Sequence, residues 1–178
     1  MTRTILITGA GSIGLLKKFS SASTIVYAQS NTGIELIEGF EGLRLNAYLD
    51  TAGVPTIGWG STRYADGTKV KMGDKLKSRA EADRLFLITL KYFADQVNKL
   101  VTVELTQNQF DALVSLVYNI GVGAFAGSSL LAALNAGKYI VAADKFLDWN
   151  KSRFNGVLKF NNVLVKRRIQ ERKLFIKP

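Results

Sequence analysis

The chain has no cysteine and no histidine among its 178 residues. The first absence excludes disulfide staples and thiolate metal sites. The second removes imidazole as base, nucleophile or metal ligand, and with it Ser-His, Cys-His and His-zinc chemistry. An enzyme built from this sequence must do acid–base work mainly with carboxylates, lysine or tyrosine. Internal repeats and low-complexity tracts are also missing. The longest uninterrupted apolar stretch near the N-terminus, Thr4 to Leu16, is broken by Lys17 and Lys18. It falls short of the roughly 20 residues that a membrane-spanning helix needs.

What is present is ordinary for a soluble globular fold: 47% hydrophobic and 21% charged residues. The length suits one domain, or two small lobes sharing a core. The net charge of +10 is unevenly placed. Residues 1–30 carry three bases and no acid, 31–150 carry 12 bases and 13 acids, and 151–178 carry nine bases and one acid. A polyanionic partner fits that excess: nucleic acid, an anionic membrane surface or an acidic wall polymer.

Residues 1–30 read as a leader distinct from the rest of the chain. Gly9, Gly11 and Gly14 fit the G-x-G-x-x-G pattern of a dinucleotide-binding loop, and a strand-like run from Thr24 to Ala28 comes after it. Against an NAD(P) site, no acid lies between Arg3 and Ile34 to bind a ribose, and no further strand–helix alternation completes a parallel sheet. The competing reading is export. The segment is basic and apolar, and Val26-Tyr27-Ala28 resembles a small-residue cleavage site, which makes a weak signal or signal-anchor. A disordered or loosely docked leader is the third reading.

From residue 31 the periodicity is clearer. A short helix is expected over 32–41, with Ile34, Ile37 and Glu41 on one face and Gly42 to end it. The runs RLNAYLD and PTIGWG, joined by TAGV, predict a β-hairpin. Asp66-Gly67 predicts a second turn, and Lys69–Met72 a third short strand. Ser78 with Glu81, and Thr106 with Gln109, are capping boxes that open two helices. The first runs to about residue 100 on a stripe of Ala82, Leu85, Phe86, Phe93, Val97 and Leu100. The second runs through Phe110, Leu113, Val114 and Val117. Shorter helices are expected over 128–136 and 138–149. A polar loop over 150–162 should lead to a last helix with Val165, Ile169 and Ile176 on its apolar stripe. The fold class is α+β: a small antiparallel β-hairpin lobe over about 42–76, and a larger helical lobe over about 78–176, joined by the long helix.

The chemistry concentrates in one stretch. Glu41 ends a helix, Asp50 ends the first strand and Thr56 begins the second. A helix end packed on a hairpin can gather these three around one cleft. Two carboxylates at a cleft are the usual equipment of glycoside hydrolysis; a solvated surface acid is the plain alternative for either. Tyr48 either lines that cleft or packs on the hairpin. Asn119 either meets substrate or caps its helix. Trp59 either stacks on sugar or packs in the core, and its place in an alternating strand favours the core.

The whole segment, Glu41-GLRLNAYL-Asp50-TAGVP-Thr56-IGWG, resembles the phage-type lysozymes, glycoside hydrolase family 24. NQFDALVSLVYNIGVGAF and KRRIQERKLF continue the resemblance, which covers about residues 31–176. It implies a lysozyme-like fold and an endolysin (N-acetylmuramidase) without metal or organic cofactor. It also implies catalytic roles for Glu41, Asp50 and Thr56, inversion at the anomeric carbon, and an arginine of the last helix, Arg167 or Arg168, reaching Glu41. The expected partner is peptidoglycan rather than nucleic acid, and the expected state is a monomer. Transient membrane contact would run through the leader or the basic C-terminal helix. The enzyme would wait in the host cytoplasm before reaching the periplasm and wall, or be exported by its weak signal. One departure stands out: many relatives carry histidine where this chain has Ser61. A catalytically inactive wall-binding relative is the alternative, and the intact triad speaks against it.

Overall fold

A computed structural model describes residues 5–7, 25–50, 53–154 and 156–178. The Gly9–Gly14 loop and most of the leader lie outside those residues, as does part of the TAGV turn.

Strand β1 (Ile5–Ile7) pairs in parallel with β2 (Ile25–Tyr27). No further parallel strand extends this pair among the described residues. Helix α1 (Asn31–Glu41) begins where the Ser30 hydroxyl accepts the Gly33 N–H, and it ends at Gly42, whose φ of 68° is readily adopted only by glycine. Strands β3 (Arg44–Leu49) and β4 (Pro55–Gly58) form the expected antiparallel hairpin, with Tyr48 opposite Thr56. The expected third strand at Lys69–Met72 does not form. That stretch contributes one isolated pairing, Arg63 with Lys69. The Asp66-Gly67 turn closes it, with Thr68 donating to the Asp66 carboxylate, but Lys71 N–H turns instead to Asp74.

Helix α2 (Arg79–Leu100) crosses from the hairpin lobe to the helical lobe. Ser78 caps it as expected, accepting the Glu81 N–H. The reciprocal half of that capping box is redirected: the Glu81 carboxylate accepts from Lys77 N at 2.6 Å. The box at Thr106 and Gln109 is complete and opens α3 (Gln107–Ile120). This helix is the centre of the core, with Phe110, Leu113, Val114 and Val117 fully buried. Then come α4 (Val122–Ala126), α5 (Ser129–Asn135) and α6 (Tyr139–Lys145), the last continued by a 3-10 turn over Phe146–Asp148.

Two expectations near the C-terminus fail. The stretch 150–162 is not a plain loop: β5 (Lys151–Phe154) and β6 (Val157–Phe160) form an antiparallel hairpin. The last helix, α7 (Asn162–Phe175), does not bury the predicted stripe. Ile169 and Ile176 are 53% and 45% exposed, and Val165 is half-buried. Its buried face is Arg167, Arg168, Glu171 and Phe175. Three of these four inward positions are charged, and they pair as ions with one another.

Candidate active site

Glu41 is the last residue of α1, so its carboxyl stands at the helix end, over the hairpin. Arg167 reaches it from α7, with Nη1 2.6 Å from Oε1. The guanidinium also lies over the Phe40 ring, 4.8 Å from its centroid. Glu41 Oε2 faces Gly60, which has φ 102°; a Cβ there would come within 3.1 Å of that oxygen. The hairpin carries Asp50 and Thr56. Asp50 is tied down just beyond β3: its backbone N–H donates to Val54 O, and Oδ1 accepts the Val54 N–H at 2.8 Å. Thr56, on β4, is buried, and its hydroxyl donates to Val54 O at 2.9 Å. One residue, Val54, therefore orients both. Tyr48 lies across the strand pair from Thr56. Burial, then the negative charge of Glu41, pushes its phenol above the usual value, while Arg44, 4.8 Å over the ring, opposes the shift and Asp50 adds to it. The phenol thus senses both carboxylates.

Behind Glu41 lies a buried charge cluster. Arg167 Nε donates to Glu171 at 3.1 Å and Nη2 to the Ser115 carbonyl at 3.2 Å. Arg168 Nε sits 3.0 Å from the other Glu171 oxygen, and the Ser115 hydroxyl donates to Glu171 at 2.7 Å. Burial pushes Glu171 above the ordinary carboxylate value, against the pull of Arg168 and Arg167. Burial likewise lowers Arg168 to about 10, with Glu171 opposing. Arg168 Nη2 also donates to Asn119 Oδ1 at 2.9 Å. Tyr118 completes the floor: its hydroxyl donates to Trp59 O at 2.8 Å, and burial, followed by the charge of Glu41, pushes it far up.

A model of the phage lysozyme family matches residues 38–171. The chain belongs to that family. Among its relatives is the endolysin of Salmonella phage P22, 43% identical over 147 residues, which span 83% of this chain and 97% of that one. The endolysin of Bacillus phage B103 is 48% identical over 149 residues, 83% of this chain but 53% of its own, so the chain spans about half of that relative. The SAR-endolysin of Enterobacteria phage P21 is 31% identical over 139 residues, 78% of this chain and 79% of that one. Among solved structures, an endolysin from Escherichia coli O157:H7 phage FAHEc1 superposes with a TM-score of 0.76 at 41% identity, covering 84% of this chain and 93% of that one.

This lysozyme is thus a glycoside hydrolase of α+β, lysozyme-like fold. The geometry separates the two arginines that sequence left equivalent: Arg167 contacts Glu41, whereas Arg168 turns to Glu171 and Asn119. Trp59 is in the core, 6% exposed, with its indole N–H on Asp83. Ser61 is buried; its hydroxyl lies 3.2 Å from that of Thr89, and its backbone pairs with Ile57. Sequence reasoning missed Glu171, Ser115, Tyr118 and Gly60. Glu171 carried a signal, as the single acid among the last 28 residues.

Proposed function

We propose that this lysozyme is an endolysin that hydrolyses the β-1,4 bond between N-acetylmuramic acid and N-acetylglucosamine in peptidoglycan, with inversion. Glu41 delivers its proton to the glycosidic oxygen as the C1–O bond breaks. Water attacks C1 from the opposite face, and Asp50 takes the proton that this water loses. Thr56 holds the same water. Because its own proton is directed at Val54 O, its oxygen can only accept, so it takes the water's second hydrogen and leaves the first to Asp50. The observation that carries this reading is the placement of Glu41 under Arg167 at a helix end, against a hairpin whose Asp50 and Thr56 are oriented by one residue. Inversion requires roughly 6.5–9.5 Å between the carboxyl groups, enough for the water.

Tyr48 and Asn119 are assigned to the substrate: Tyr48 as a wall of the cleft, and Asn119 as a hydrogen-bonding group oriented by Arg168. Arg167 aims Glu41. The working location is the periplasm and wall, reached from the host cytoplasm. Resemblance to SAR-endolysins supports an export-linked release, and no described helix is long and apolar enough to cross a membrane. Glu41→Gln should abolish clearing of permeabilised Gram-negative cells with the fold intact, and Asp50→Asn should lose most of it. Retained activity in Glu41→Gln would show that the acid is misassigned, and an initial product of retained configuration by NMR would refute inversion.

A further inference from the structure

Among the described residues, the β5–β6 hairpin meets α7 through β5 and leaves β6 uncovered. Successive strand residues point to opposite faces, so a two-stranded hairpin normally turns one face to a core. Here all four residues of β6 are exposed, Val157 and Lys159 toward one side and Leu158 and Phe160 toward the other. Val157, Leu158 and Phe160 are 57%, 58% and 70% exposed, and Val163, in the first turn of α7, is 69% exposed. Clustered exposed apolar groups mark an interaction surface.

Within residues 151–178 the exposed side-chain charge is of one sign. Pairing register sets Lys151 opposite Phe160 and Arg153 opposite Leu158, and Lys151 Nζ lies 4.8 Å over the Phe160 ring. The one acid of residues 151–178, Glu171, is fully buried between Arg167 and Arg168 and offers nothing to the surface. Apolar side chains interleaved with bases, and no acid, fit an anionic lipid bilayer: the bases meet phosphate headgroups while the apolar tips enter the acyl boundary. A polyanion without an apolar layer would leave Val157, Leu158 and Phe160 unused.

We propose that the β5–β6 hairpin and the first turn of α7 dock this lysozyme on anionic phospholipid. The surface adds the β5–β6 hairpin to the C-terminal helix expected to meet a membrane and uses only the first turn of that helix. The full chain should sediment with phosphatidylglycerol-containing vesicles and not with pure phosphatidylcholine. The double variant Leu158→Ser/Phe160→Ser should partition about tenfold less or weaker still, with hydrolysis of soluble wall fragments unchanged. Phe160→Trp keeps an aromatic ring at the site. It should add a blue-shifted emission on binding, quenched by brominated lipid, over the constant background of Trp59 and Trp149. Unchanged vesicle binding by the double variant would place the contact outside the hairpin and overturn the proposal. So would an added emission in Phe160→Trp that brominated lipid fails to quench, or a concentration-dependent dimer that the double variant abolishes.

Discussion

Glu171→Gln tests how the charge cluster behind Glu41 works. Glu41, Glu171, Arg167 and Arg168 sum to zero charge, and the last three are 0–5% exposed. The substitution keeps shape and removes one charge. Arg168 then retains Asn119 as its polar contact in place of a carboxylate. Removing one partner from a buried ion pair costs about 3–5 kcal/mol. Burial already opposes the charge on Glu171, and relief of that opposition places the expected loss near the lower end, about 3 kcal/mol. Against a total stability of about 5–15 kcal/mol, this is a large fraction. At about 2–4 °C per kcal/mol for a chain of this size, Tm should fall by about 6–12 °C. Urea unfolding followed by circular dichroism at pH 7 measures it. The exposed pair Arg172–Asp144, with side chains 32% and 58% exposed, is the internal control: Asp144→Asn should cost under about 1 kcal/mol. Activity should fall as well, because Glu171 anchors the Nε of the arginine that aims Glu41. A loss below about 1 kcal/mol in Glu171→Gln would refute the reasoning: Glu171 would then carry its own proton in the native state, and glutamine would merely replace a neutral acid.

Gly60→Ala should reduce kcat severely. The new methyl would sit 3.1 Å from Glu41 Oε2, at a φ of 102° that an L side chain resists; wild-type turnover would mean that Glu41 moves freely. Tyr27→Ala should cost about 3–5 kcal/mol in urea unfolding, since the ring stacks on Phe110 at 5.3 Å and its hydroxyl donates to Leu105 O at 2.6 Å; a near-neutral result would detach residues 25–30 from the folded domain. Asp74→Asn should flatten the acid limb of stability against pH. The Lys71 N–H and the Tyr64 hydroxyl hold the Asp74 carboxyl below its ordinary 3.8. The unfolded chain therefore binds the proton first, and the contribution is present above that value and lost as pH falls through the lower, folded one. Acid unfolding profiles of the two proteins that superpose would exclude this role.

Features set by local chemistry were legible in the sequence. Gly42 stops α1 because the chain there needs positive φ, and Thr106 with Gln109 opens α3, since each side chain satisfies the backbone of the other. The hairpin carrying Asp50 and Thr56 follows from alternation and turn residues. Features set by tertiary pairing were not. Apolar periodicity pointed α7 the wrong way because Arg167, Arg168 and Glu171 look like surface residues until their partners on α1 and α3 are known. The same blindness left Arg167 and Arg168 indistinguishable: adjacent residues on a helix differ by about 100° in direction, and only the packed neighbours say which one meets Glu41. The hairpin over 151–160 did carry a local signal, an Asn-Gly pair between KSRF and VLKF. Its polar composition hid it.

Holding α7 against the active site with charges rather than leucines has a directional consequence. Apolar packing is non-directional, and well-packed hydrophobic residues in place of a buried ion cluster often match or exceed its stability. They could not aim a carboxyl. Arg167 spends one edge of a rigid plane on Glu171 and on the Ser115 carbonyl, which fixes the plane, and presents Nη1 to Glu41. The position of Oε1 is thereby tied to α3 and α7 as well as to its own helix. Gly60 bounds the other oxygen. In the proposed role of general acid, Glu41 gains from being held on both sides. Because the inward face of α7 is occupied by that task, Ile169 faces outward.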